Sequence, residues 1–123
     1  MGMSSLGDIL VGAGQVAAGT GAAIGAHDAY GGAMLTVAGV LALMSAQEAE
    51  TAAAWRVADI AAMRTLLGRP VQADDLSLAA LDATWADLSR DLIAHHAGLA
   101  GDDAAILAFY RESAERRELT WPA

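Results

Sequence analysis

Three groupings in this chain have the residue types and spacing for chemistry. Gly12-x-Gly14-x-x-Ala17 follows the apolar residues 9–11 and fits the relaxed G-x-G-x-x-G/A pattern. In a dinucleotide-binding fold such glycines allow a tight turn and let a pyrophosphate reach a helix N-terminus. Asp87, Asp91 and His95 stand at i, i+4 and i+8, one row of a helix that could ligate a metal or tune a proton acceptor. His27-Asp28 lies between two apolar stretches and could form a pH-sensitive or ion-contacting turn.

Each grouping needs elements to position it. The glycine pattern requires a strand before it, a helix after it and a second strand ending in an acid about 20 residues on. Here no acid follows Asp28 until Glu48, and no later strands complete a parallel sheet. The Asp87/Asp91/His95 row also reads as a solvated helix edge with an ordinary i, i+4 Asp–His pair. His95 and His96 are adjacent, so a helix would point them about 100° apart, which disfavours joint ligation of one ion. No Glu is followed three residues later by His, as a di-iron bundle requires. H-E-x-x-H and the P-loop pattern are absent. Ser4-Ser5 and the other hydroxyls have no local base. No catalytic, cofactor-binding or metal-ligating residue is assigned, and no cofactor is expected.

Composition narrows the classes further. The chain has 123 residues, one domain by length, and a net charge of −8. That balance, with no basic tail, argues against nucleic acid as a partner. There is no Cys, hence no disulfide framework and no thiolate site. All seven basic residues are Arg, and all lie between Arg56 and Arg117. Ten of the 13 glycines lie at or before Gly39. With no positive n-region, Met1 is the expected mature start.

The expected fold is all-α with about four helices in a single domain. Residues 1–46 form a Gly/Ala-rich apolar hairpin and residues 47–123 an amphipathic part. Residues 5–27 read as the first helix, broken at "AHDAYGG". A long helix is predicted from Gly32 to Leu67, with Gly68 as its C′ residue and Pro70 as a stop. Asp74 or Asp75 is the expected N-cap of the third helix. Its large apolar residues Leu78, Leu81, Trp85, Leu88, Leu92 and Leu99 form a one-sided stripe, read as core or as a partner interface with Trp85 as anchor. After a break at Gly98 and Gly101, Asp102 caps a last helix over about 102–118, with Ile106, Leu107, Tyr110 and Ala114 on one side.

As a helix, the opening stretch places Ala13, Ala17, Gly21 and Gly25 on one four-residue ridge. Such small-xxx-small ridges let helix backbones approach closely. Interior glycines cost about 1 kcal/mol each relative to Ala in water, so a close partner or a bilayer must compensate. Residues 9–26 and 29–46 each hold 18 positions without formal charge, close to spanning length. An Arg-bearing half kept inside, with no Lys or Arg in residues 1–55, matches a hairpin with both ends in the cytoplasm.

The function expected from these residues is that of a small structural or adaptor subunit, working through protein partners or self-association and in contact with a lipid bilayer. A second reading is a soluble assembly component, cytoplasmic or within a large particle. In composition the chain resembles internal or ejected virion proteins, which also carry Gly/Ala-rich apolar N-termini. A third is a nucleotide- or metal-binding enzyme.

Overall fold

A computed structural model describes residues 5–98 and 102–122. They form four helices, α1 (Ser5–Ile24), α2 (Ala29–Leu66), α3 (Leu78–Ala97) and α4 (Asp103–Arg116), with no strand among the described residues. Leu99 and Gly101 lie outside the described residues. The chain divides into two compact units, residues 1–51 with 119–123 and residues 52–118. α2 supplies its first part to one and its last part to the other.

In the first unit, α1 and the start of α2 form an antiparallel hairpin. α2 begins at Ala29, three residues before the glycine pair suggests. The Asp28 carboxylate accepts the Gly31 amide at 2.9 Å, satisfying an otherwise orphaned donor of the first turn. The tail returns to α2 within this unit. The Gln47 side-chain amide donates to the Thr120 carbonyl at 2.6 Å and accepts the Thr120 N–H at 2.8 Å.

The second unit packs the last part of α2, α3 and α4 around Ile60, Met63, Leu81, Leu88, Leu92, Ile106 and Phe109. α2 stops as its glycine predicts. Gly68 has φ +67°, the Arg69 amide donates to the Arg64 carbonyl and the Gly68 amide to the Thr65 carbonyl. Those two bonds make a complete Schellman cap.

Two local expectations are corrected. The N-cap of α3 is Ser77, whose hydroxyl accepts the Ala80 amide, and not Asp74 or Asp75. Asp74 is taken instead by Arg64, through bonds of 2.8 and 3.0 Å, and Asp75 accepts the Ser77 amide. The buried face of α4 is Ile106, Phe109 and Ser113, while Leu107 and Tyr110 are exposed. Phe109 offers a large apolar surface on the face from which Ser113 reaches a buried carboxylate, and burial follows that pairing. The N-cap of α4 is Asp102, which accepts the Ala105 amide.

Candidate functional site

The hairpin has its small residues inside. Gly7, Gly14 and Gly21 are buried on α1, and Gly32, Gly39 and Ala46 on α2, each set spaced by seven. A β-carbon on Gly21 would lie 2.7 Å from the Gly32 carbonyl oxygen, and one on Gly32 would lie 2.7 Å from that of Gly21. Gly14 and Gly39 face each other likewise, at 2.8 and 2.7 Å. The same antiparallel register sets Gly7 opposite Ala46. Thr36, at the seam, donates its hydroxyl to the Gly32 carbonyl at 2.9 Å.

This seam differs from the ridge read off the sequence. Of Ala13, Ala17, Gly21 and Gly25, only Gly21 is buried; Ala17 and Gly25 are half-buried and Ala13 is exposed. A four-residue step advances about 40° around a helix, so the ridge crosses the contact. Gly21 and Gly25 both meet Gly32, whose added β-carbon would lie 2.6 Å from the Gly25 α-carbon, whereas Ala13 faces outward. A seven-residue step drifts by only about 20° and stays on a near-antiparallel neighbour.

The large apolar residues of the hairpin face outward. Ile9 is 67% exposed, Val16 69% and Leu41 61%, and Leu6, Met34 and Val37 are also more than half exposed. Water-soluble helical pairs arrange these classes the other way round, with the apolar stripe toward the core. At the end near the tail, Trp121 joins Thr36, Val37, Val40, Leu41 and Met44 to line an apolar groove of about 350 Å³. α2 is long and apolar enough to cross a membrane.

The second unit carries a polar centre that sequence reasoning missed. Asp59 of α2 is fully buried. Its carboxylate accepts Trp85 Nε1–H at 3.0 Å, the Ser113 hydroxyl at 2.5 Å and Arg116 Nε–H at 2.9 Å. One side chain thus ties α2 to both α3 and α4. Trp55 stands edge-on to Trp85 with ring centroids 6.0 Å apart, and the Arg117 guanidinium lies over both rings. An acid flanked by Val57, Ala58, Ile60, Ala61 and Ala62 was the available signal. Predicted residues Leu81, Leu88 and Leu92 sit in this unit's core, and Trp85 is half-buried at its edge.

Arg64 and Asp74 form a second tie, both largely shielded, with side chains 9% and 15% exposed. Hydrogen bonds from Arg64 hold the Asp74 carboxyl below the usual carboxylate range. Asp75 is held low in the same direction by the Ser77 amide it accepts.

The other sequence candidates do not assemble into a reaction centre. Gly12 to Ala17 lie inside α1, not in a strand-to-helix turn, and a β-carbon on Gly12 would meet nothing within 4 Å. Asp87 pairs with Arg90, and Asp91 with Arg69 at 2.8 Å. His96 pairs with Asp103. Among the described residues, no group of three His, Asp or Glu is placed to hold a metal ion. Asp28 of the His27-Asp28 pair is spent on capping α2. Comparison with known protein families, curated proteins and solved structures returned no match.

Proposed function

We propose that this chain is a non-enzymatic helical subunit whose hairpin lies in a lipid bilayer and whose second unit is presented to protein partners. The carrying observation is the inverted packing of the hairpin, with glycine within and large apolar side chains without. In lipid, outward Leu, Ile and Val cost nothing, and helices associate by close backbone approach at small residues. In water the same surface would be a large exposed apolar patch.

Dimensions and charge support the reading. α1 has 20 residues, about 30 Å at the helical rise, which matches the hydrocarbon thickness. The register that pairs Gly21 with Gly32 sets Asp8 level with Ser45, so the polar ends of both helices meet one boundary. The first Arg residues, Arg56 and Arg64, follow that boundary within about 20 residues, which favours a cytoplasmic second unit.

The test is fractionation of the expressed full chain, with carbonate washing and size-exclusion chromatography with and without detergent. Carbonate-resistant pelleting and a need for detergent are expected. Recovery as a soluble species without detergent would overturn the bilayer reading and favour burial of the same surface inside a larger assembly.

A further inference from the structure

The tail that returns to α2 carries an exposed tryptophan beside a residue whose backbone is pinned. Trp121 is 74% exposed, yet its predecessor Thr120 is held at both its N–H and its C=O by the single side-chain amide of Gln47. Pro122, which follows, has no N–H to satisfy. A chain segment with this pairing can lie at the edge of a hydrocarbon layer at little cost, because unpaired backbone groups are what that environment penalises.

The position along α2 matches such an edge. Gln47 directly follows the uncharged stretch 29–46, and Glu48 and Glu50 come next. The indole lies beside Leu41 and Met44, within two helical turns of that boundary. At the other end of the stretch stands Tyr30, 78% exposed. Tyr30 and Gln47 are about 25 Å apart along the helix, close to the apolar thickness of a bilayer. Tyr and Trp collect at the two interfaces because their rings are amphipathic. Trp121 is 74 residues beyond Gln47 in sequence, and the bonds between Gln47 and Thr120 bring it to this end of the uncharged stretch.

The geometry points to Trp121 as an interfacial lipid anchor, positioned by Gln47, at the boundary where the uncharged stretch 29–46 ends. The partner is the headgroup–acyl boundary of phospholipids. This rests on the bilayer reading of the hairpin, and its test separates the two. The full chain, Trp121→Phe and Gln47→Leu are reconstituted into phosphatidylcholine–phosphatidylglycerol vesicles and floated on a density gradient. Tryptophan emission is then quenched with lipids carrying a nitroxide near the carbonyl end or near the methyl end of the acyl chain.

The emission lost in Trp121→Phe is the Trp121 component, which is expected to be quenched more by the shallow label than by the deep one. In Gln47→Leu the shallow quenching of that component falls by half or more, while flotation persists. A chain that floats but whose Trp121 component responds to neither label overturns the anchor and leaves the bilayer reading standing. A chain that does not float overturns both. Unchanged quenching in Gln47→Leu removes Gln47 from the assignment.

Discussion

Gly21 of α1 and Gly32 of α2 approach so closely that a β-carbon on either would crowd the other's carbonyl oxygen at 2.7 Å. The obstacle is backbone on both sides, so no rotamer change relieves it. Gly14 and Gly39 repeat the relationship two turns away.

Replacing Gly21 or Gly39 with Ala is therefore expected to destabilise the hairpin by about 1–3 kcal/mol, and Leu by more. Gly12→Ala should act in the opposite direction. Gly12 is helical, exposed and open around its α-carbon, so Ala gains about 0.5–1 kcal/mol of helix preference. Thermal melts followed by circular dichroism, all under one solvent condition, compare the three.

Asp59 is expected to be the most sensitive position of the second unit. Asp59→Ala removes the acceptor for Trp85, Ser113 and Arg116 together and leaves a shielded guanidinium uncompensated, at a cost of about 3–5 kcal/mol. Asp59→Asn keeps an acceptor and should cost less. Near-ultraviolet circular dichroism, which reports the Trp55–Trp85 pair, should lose intensity in step with the denaturant midpoint.

The Arg64–Asp74 pair makes the second unit acid-sensitive. The folded-state pKa of Asp74 is depressed, so the pair's contribution is fully present above the unfolded value of about 4. It is lost as pH falls from there through the depressed folded value. Asp74→Ala should destabilise by about 2 kcal/mol near neutrality, and its midpoint should converge on the wild-type one below that window. Urea titrations at a series of pH values measure the convergence.

Gly68 ends α2 at φ +67°, a conformation that side chains with a β-carbon adopt at a cost. Gly68→Ala is expected to lower stability by about 1 kcal/mol, with no change in the spectrum of the folded state. Nothing lies within 4 Å of a β-carbon there, so backbone strain alone sets the effect.

What could be read from the residues was mostly local. The four helices, the stop at Gly68 and the cap at Asp102 follow from composition and short-range capping chemistry. The α3 stripe through Leu81, Leu88 and Leu92 follows from periodicity. What escaped was set by partners far along the chain. Asp74 looked like a cap because the guanidinium that takes it lies ten residues earlier, on another element. Glycines are so frequent in α1 that several lines of small residues fit it, and only the facing helix decides among them. Asp59 sits between Ala58 and Ile60, with no local pattern to name the tryptophan, serine and arginine that meet it. Gln47 and Thr120 are 73 residues apart, beyond any local pattern.

The glycine register also prescribes an order of assembly. Gly21 and Gly32 are eleven residues apart in the chain, Gly14 and Gly39 twenty-five, and both pairs share the short turn at 25–28. Closing the inner pair shortens the loop that the outer pair must close, so each contact lowers the entropic cost of the next. The hairpin can thus zip outward from its turn while later residues are still being synthesised. The tail bearing Trp121 docks only after α3 and α4 have been made, which makes its clasp on Gln47 a late step by construction.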